Sequence, residues 1–492
     1  MKRPQLSLLG AASFGSLFVA GSLATLGCSP SGNQTTLSGS GGANSSGTSQ
    51  GGSTAATFSG GTANGGTQST GATGGCTGLA CQIHQCSGGG STTISGTIYD
   101  PAGKNPLYGV VAYVPNSTPT ALTQGASCTS CSDLYTGDPI AAAVSDAKGN
   151  FTIKNAPDGA NIPLVIQVGK WRRQFTIPNV AMCMDTPAPV KLTLPKNGTE
   201  GDIPNMAIST GGADTMECLL TRIGLDKSEY SGGANGGGHV HIFVGSGGAT
   251  TPGATDSPST LWPTAAGLMK YDIVILSCEG NETTFGNKPQ DQQALFDYAK
   301  QGGRVFASHY HYAWFNSGPF GSQNLASWTP GSQGAGSEGS IVTTDWAGMP
   351  FIRGQAMHDW LQNVNALGVN GAGPNRLPIV ASRHNADVSM ANTPSQRWVV
   401  IPSNTQSTQD FTFDTPFGVP AAMQCGRVAF SDMHVSGASN DPQPGSDQNV
   451  PQGCAVADLS PQEKALEFIF FDLASCVTPN NMPQMPPGNP PM

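Results

Sequence analysis

The residues best suited to chemistry follow predicted strands in the second half of the chain. Cysteine, glutamate and histidine serve as nucleophiles, general acids or bases and metal ligands, and the catalytic candidates are Cys278, Glu279, His309 and His434. Each follows or closes a short apolar run that reads as a strand. Because ligands bind at the carboxyl ends of parallel strands, we expect Glu279, His309 and His434 to line one pocket there.

The spacing of the histidines also predicts a metal site. His309 and His311 are separated by one residue, so on a strand both would face the same way. With His434 they would offer three imidazoles to a divalent ion such as Zn²⁺ or Ni²⁺. His239 and His241 have the same spacing after a glycine run. The alternative is that these histidines hydrogen-bond within the core or at its rim, in which case no cofactor is expected.

Cys278 has two interpretations. The segment Ser277-Cys278-Glu279-Gly280 follows a strand directly, as the nucleophile of a Cys–His–Glu hydrolase would. The alternative is a structural cysteine that is buried or disulfide-bonded. The sequence leaves both open.

The elements that must position these residues alternate between strand and helix over residues 200–477. Such alternation predicts an α/β domain of three layers with a mostly parallel sheet. The predicted strands are Ile203–Ser209, His239–Val244, Ile273–Leu276, Arg304–Ser308, Leu377–Ser382, Arg397–Ile401 and Arg427–Ser431. The predicted helices are Ala213–Ile223, Gln290–Lys300, Gly354–Asn363 and Pro461–Ala474.

Three segments carry a resemblance to a known superfamily: Tyr271–Leu276, Leu295–His309 and Cys425–His434. They resemble the class I glutamine amidotransferase-like superfamily, and within it the ThuA-like (trehalose-utilisation) group. The resemblance implies that a nucleophilic cysteine would stand at the position of His309, whereas Cys278 matches the preceding loop, which in the superfamily helps to hold the oxyanion. It therefore argues against glutaminase activity and leaves enzymatic function uncertain.

Residues 91–195 have a period of two, with turn clusters between short β-rich runs. The seven runs are Thr93–Tyr99, Val110–Val114, Ala141–Val144, Phe151–Ile153, Leu164–Val168, Gln174–Ile177 and Val190–Leu194. They predict a β-sandwich. The segments Ser95–Asp100, Pro106–Val110, Ser145–Phe151 and Ala156–Gly159 resemble the carboxypeptidase regulatory-like family. The resemblance implies a transthyretin-like accessory module, sometimes grouped with carbohydrate-binding folds.

One short segment of this first domain has two interpretations. Trp171-Arg172-Arg173 would be either a platform on which a ligand stacks or a solvated hairpin tip.

The N-terminus predicts export. Lys2 and Arg3 precede an apolar run that ends at Gly27-Cys28, which describes a secretory signal. Thr25–Cys28 resembles a bacterial lipobox, although Thr25 stands where leucine is usual, and Cys28 would carry the lipid. The alternative is an ordinary signal peptide. Ser29 after the cysteine favours the outer membrane by analogy with bacterial lipoproteins.

Composition divides the rest of the chain. Residues 29–75 are a Gly/Ser/Thr-rich tether, residues 76–90 a cysteine-rich linker and residues 478–492 a Pro/Met tail, and we expect tether and tail to be disordered. The net charge is −9 and charged residues are 11%, against about 25% in typical domains. No basic run exists, so nucleic acid is not expected as a partner.

The twelve cysteines indicate an oxidising compartment. Cys28 aside, eleven remain, so we expect disulfides with at least one thiol free or paired between chains. The spacing of Cys128 and Cys131 would also suit zinc or redox chemistry.

Three functions remain open. The first is an envelope lipoprotein, anchored in the membrane by its lipid, that binds a glycan or small molecule without catalysis. The second is a hydrolase or metal-dependent enzyme that uses the strand-end pocket. The third is a structural or interaction protein of the cell surface.

We predict that Cys28 becomes the lipidated N-terminus. Mass spectrometry of the mature protein should find Cys28 first and acylated, and Cys28→Ser should release the protein in soluble form because several acyl chains provide the anchorage. An unmodified N-terminus elsewhere would contradict the prediction.

Overall fold

The computed structural model describes residues 76–251, 254–282, 288–330, 334, 336–380, 382–402, 404–435, 454 and 457–487. These residues belong to one compact unit. The predicted signal, Cys28 and the tether lie outside the described residues, so lipidation stays a prediction. Within the described ranges, no helix is long and apolar enough to cross a bilayer.

Twenty strands and seven α-helices lie in the described ranges. The strands are β1 Thr93–Tyr99, β2 Val111–Pro115, β3 Pro139–Val144, β4 Asn150–Lys154, β5 Gly159–Val168, β6 Trp171–Val180, β7 Asp185–Pro187, β8 Leu192–Thr193, β9 Met206–Ser209, β10 Tyr230–Gly232, β11 Val240–Phe243, β12 Ile273–Leu276, β13 Arg304–Ser308, β14 Ser327–Trp328, β15 Glu338–Ile341, β16 Leu377–Pro378, β17 Ala386–Asp387, β18 Ser395–Ile401, β19 Asn404–Thr415 and β20 Gly426–Ser431. The helices are α1 Cys131–Leu134, α2 Met216–Arg222, α3 Ala265–Leu268, α4 Pro289–Lys300, α5 Gly318–Gly321, α6 Ile352–Asn363 and α7 Pro461–Ala474.

The first eight strands form two four-stranded sheets. In one sheet, β1 pairs with β4, β7 and β8, and the other has the order β3-β2-β5-β6. Alternate residues from both sheets, such as Ile94, Ile153, Ala112 and Leu164, pack into the same core. This unit is a β-sandwich-like arrangement, as the period of two predicts.

The remaining strands form a mixed sheet rather than a mostly parallel one. Its first six strands, in the order β10-β11-β9-β12-β13-β20, are parallel. The sheet then continues through β19, β18, β15 and β16, which pair antiparallel. The expectation of a mostly parallel sheet was wrong because β19, an antiparallel strand beside β20, went unrecognised.

Both faces of the parallel strands are covered. In β12, Ile273 and Ile275 join the core that holds α2, α6 and α7, whereas Val274 and Leu276 join the core that holds α4. Adjacent side chains of a strand point to opposite faces, so such apolar runs are buried on both sides. The sheet and the helices on its two faces form three layers. The parallel strands of the middle layer therefore end together at one edge of the sheet.

The sandwich packs on the last helix, α7, through aromatic side chains. Tyr108 stacks on Phe468 of α7 with ring centroids 5.7 Å apart, and Trp171 meets Phe471 at 5.8 Å. Trp171 is fully buried. Both interpretations of Trp171-Arg172-Arg173 were therefore wrong, since the hairpin end lies inside an interface between the two halves of the chain.

Five disulfides reinforce this arrangement and confirm the prediction of a disulfide-containing chain. Two of them join the connection between β2 and β3 to the second half of the chain, through Cys128–Cys425 and Cys131–Cys476. The others are Cys76–Cys81, Cys86–Cys183 and Cys218–Cys454. Ten of the eleven remaining cysteines are thus bonded, and Cys278 is free and buried.

Two buried carboxyl groups face each other across the same interface. Glu467 of α7 accepts a hydrogen bond from Asn105 of the sandwich at 2.7 Å and lies beside Asp100. Burial raises the pKa of Asp100 to about 6. Burial and the charge of Asp100 together raise the pKa of Glu467 well above its usual range.

We predict that Glu467→Gln stabilises the protein at pH 8 by about 1–3 kcal/mol but not at pH 4.5. Both carboxyls bind protons more tightly in the folded than in the unfolded protein. Their contribution to the free energy of unfolding is therefore present at acidic pH and is lost as the pH rises through about 6 and above. Glutamine keeps the acceptor for Asn105 without ionising. Thermal unfolding at both pH values measures the effect.

The control is Asp133→Asn, which changes an exposed carboxylate of α1. It should leave the free energy of unfolding nearly unchanged, as substitutions of exposed residues usually do. If Glu467→Gln shifted the free energy of unfolding equally at pH 4.5 and pH 8, the account of this pair of carboxyls would be contradicted.

Candidate functional site

Three candidate residues meet at the carboxyl ends of neighbouring parallel strands. Cys278 lies two residues beyond β12, His309 directly follows β13, and His434 lies three residues beyond β20. These strands are adjacent and in register, with Leu276 beside Ala307 and Ser308 beside Ser431. The chain reversals after them therefore occur at the same edge of the sheet.

The three side chains are close enough to share one ligand. The ligand atoms of Cys278, His309 and His434 all lie within 4.8 Å of one another. Cys278 Sγ is 3.3 Å from His309 Nδ1, and the two imidazole centroids are 4.8 Å apart. Each of the three residues is at most 3% exposed.

The backbone at His309 is strained. Its φ is +44°, in the left-handed region that costs a non-glycine residue about 1–3 kcal/mol. The preceding residue, Ser308, is still extended, so the chain turns sharply at His309 into a 3₁₀ turn. Ser308 Oγ accepts a hydrogen bond from the Cys278 backbone N–H at 2.9 Å. The turn thus holds His309 over the end of β12.

Burial keeps all three groups uncharged at neutral pH. It lowers the pKa of His309 to about 3, with further contributions from His434 and Arg383. It also lowers the pKa of His434, which Asp214 partly opposes. The pKa of the Cys278 thiol is raised to about 12, again by burial. The proton therefore stays on sulfur, and the imidazole nitrogens keep a lone pair.

Several polar atoms of the site lack partners. Among the described residues, His309 Nε2 and His434 Nε2 are buried without a hydrogen bond. A buried unpaired group costs about 1–3 kcal/mol. The sulfur of Cys278, by contrast, accepts a hydrogen bond from the Gly280 backbone N–H at 3.4 Å and another from the Tyr310 backbone.

His311 does not join the group. Its Nε2 donates to the Ser277 carbonyl and its Nδ1 accepts from Trp314 Nε1, both at 2.9 Å. The expectation that His309 and His311 face the same way was wrong, because the strand ends at Ser308 and both histidines lie in the turn. His311 supports the turn from within the core.

Glu279 is not a member of the group of three, although its charge acts on the Cys278 thiol. Its carboxyl is directed at Gly245, where a Cβ would fall 2.6 Å from Oε1. Burial raises the pKa of Glu279 to about 8, so it is mostly protonated at neutral pH.

The second histidine pair is not a shared site either. His239 Nδ1 pairs with Glu229, and His241 Nδ1 pairs with the Tyr271 hydroxyl at 2.9 Å.

Sequence reasoning missed Asp214, which follows β9 at the same edge of the sheet. Asp214 Oδ1 accepts hydrogen bonds from the Val435 N–H at 2.7 Å and the Thr215 N–H at 2.9 Å. Its own backbone N–H donates to the Cys278 carbonyl at 3.1 Å. Asp214 carries the same signal as the other residues, since it follows a predicted strand that ends at this edge of the sheet.

No family model matches the chain, and no curated protein does. Similar solved structures include two interface mutants, one N-terminal and one C-terminal, of a type II cohesin–X-dockerin complex from Acetivibrio cellulolyticus. Identity is 16% and 18%, over 29% and 28% of this chain and 77% and 74% of those chains, with a TM-score of 0.14 for each. A similarity at this TM-score carries no argument about fold or function.

We predict that Cys278 does not react with iodoacetamide in the native protein at pH 7.5. With a pKa of about 12, fewer than about one thiol in 10⁴ is a thiolate, and the side chain is fully buried. Peptide mass spectrometry without reductant should find Cys278 unmodified, and unfolding in guanidinium should make this thiol, the free one among the described residues, reactive. Rapid native labelling of Cys278 would contradict this.

Proposed function

We propose that the protein is an exported, non-catalytic binding protein that holds a transition-metal ion between Cys278, His309 and His434. One observation carries the proposal. A free buried thiol and two buried imidazoles lie within 4.8 Å, and each imidazole has a nitrogen without a hydrogen-bond partner in the described residues. An ion bound by the thiol, by His309 Nδ1 and by a nitrogen of His434 would engage all three side chains, and His309 Nε2 would stay without a partner among the described residues.

The donor set suits Zn²⁺ in particular. Zinc takes sulfur at about 2.3 Å and imidazole nitrogen at about 2.0–2.1 Å, so ligands of one tetrahedral ion lie roughly 3.3–3.6 Å apart. The 3.3 Å between Cys278 Sγ and His309 Nδ1 is near this range. The neutral imidazoles have lone pairs to donate, and the thiol would release its proton on binding, as metal sites require.

The same geometry disfavours a cysteine hydrolase. A nucleophilic thiol needs a base that removes its proton, but burial raises the pKa of Cys278 to about 12 and lowers that of His309 to about 3. The sharp turn after β13, where the resemblance to amidotransferases would place a nucleophile, holds His309. Cys278 stands one strand away.

The remaining features of the proposal concern location and architecture. We take the second half of the chain as amidotransferase-like, on the parallel strands and the sharp turn after β13, and the first half as an accessory carbohydrate-binding-like module. The five disulfides support export. The lipid anchor at Cys28 would place the protein in the envelope.

We predict that the purified, disulfide-intact protein binds one Co²⁺, used as a spectroscopic substitute for Zn²⁺, with a thiolate-to-metal charge-transfer band. Cys278→Ser should lose the band, and His309→Asn should weaken binding at least tenfold. Asparagine is chosen because it tolerates positive φ. Absorption titration measures both effects.

The matched control is His84→Ala, which removes a half-exposed histidine of the linker. It should change neither the charge-transfer band nor the affinity for Co²⁺. A native, folded protein that gives no charge-transfer band would contradict the proposal. So would a band that persists in Cys278→Ser.

A further inference from the structure

Asp214 extends the group of buried donors to a fourth strand. The strands β9, β12, β13 and β20 are consecutive in the sheet, and the turns after them supply Asp214, Cys278, His309 and His434 in that order. Asp214 is fully buried, and its Oδ2 has no hydrogen-bond partner among the described residues. Its charge acts on both the Cys278 thiol and the His434 imidazole.

Charge balance shows why a carboxylate is needed here. A divalent ion bound to one thiolate and two neutral imidazoles keeps one net positive charge in a buried site, which is costly. Arg383 adds positive charge, since it acts on both His309 and His434. One carboxylate beside the ion would cancel the excess charge of the ion and its thiolate, and the charge of Arg383 adds to the attraction for a carboxylate. Glu279 also has a buried oxygen, Oε1, without a partner among the described residues, but that oxygen is directed at Gly245.

The hydrogen bonds of Asp214 leave one oxygen for a ligand. Oδ1 is held by the Val435 and Thr215 backbone N–H groups, which fixes the carboxyl plane. Val435 directly follows His434, so the same bond ties the carboxylate to the histidine's own backbone. Monodentate binding through Oδ2 would leave these bonds in place.

We infer, on the basis of the proposed metal site, that Asp214 Oδ2 is the fourth ligand of a closed Asp-Cys-His₂ site for Zn²⁺. Tetrahedral zinc with four protein ligands has no position for water or substrate. The ion is therefore held rather than used for catalysis. Asp214 lies outside the group whose ligand atoms are within 4.8 Å of one another, so the inference requires the site to contract around the ion.

The test compares the full, disulfide-intact protein with Asp214→Asn in Co²⁺ titrations, with and without azide. Asparagine keeps an acceptor for the Val435 N–H but lacks the charge. Asp291→Asn is the matched control, because Asp291 is also buried with one unpartnered oxygen but lies on α4. If Asp214 only oriented a ligand of the ion, its substitution would lower the affinity for the metal by about 10–100-fold.

We expect Asp214→Asn to weaken Co²⁺ binding by more than about 100-fold, beyond the range of a residue that only orients a ligand. Azide should change the cobalt spectrum of Asp214→Asn and leave those of the parent and Asp291→Asn unchanged. A smaller loss without an azide response would overturn the fourth-ligand assignment and leave the metal site standing. An azide response in the parent would do the same, whereas a parent that binds no Co²⁺ would refute the site itself.

Discussion

The arrangement of this molecule depends on one constraint, which is that adjacent parallel strands end at the same edge of a sheet. Apolar runs such as Ile273–Leu276 are buried on both faces, so helices must cover both sides and the polar residues that follow each run must leave at one edge. Sequence positions from 214 to 434 are thereby brought together. No local motif would do this.

Burial then determines what the assembled residues do. In water, a cysteine beside a histidine would exchange a proton with it, but here burial favours the neutral form of both. The outcome is a neutral thiol and two neutral imidazoles, and each imidazole has a nitrogen without a partner among the described residues. The strained turn at His309 adds to this cost. The proposed cation would offset the cost of the unpartnered donor atoms, whereas a catalytic role would require solvent access and a shifted proton.

Much of the fold was predictable where one residue pattern dominated. The strands Ile273–Leu276 and Arg304–Ser308 and the helix Pro461–Ala474 have the predicted bounds, because uninterrupted apolar runs and the capping box at Ser460 leave little choice. The strand β19 was missed because Thr408, Gln409 and Asp410 are polar yet buried. The candidate site was predictable to the same extent. The ends of the predicted strands indicated His309 and His434, but the turn that redirects His311 depends on backbone geometry that residue spacing does not reveal.

The central claim is that the strand ends form a metal site with sulfur in its coordination sphere. Zinc-edge X-ray absorption of the zinc-loaded protein tests this most directly. The account predicts one sulfur at about 2.3 Å and nitrogen or oxygen ligands at about 2.0–2.2 Å, with the sulfur lost in Cys278→Ser. A spectrum with only oxygen or nitrogen neighbours in the parent protein would contradict it.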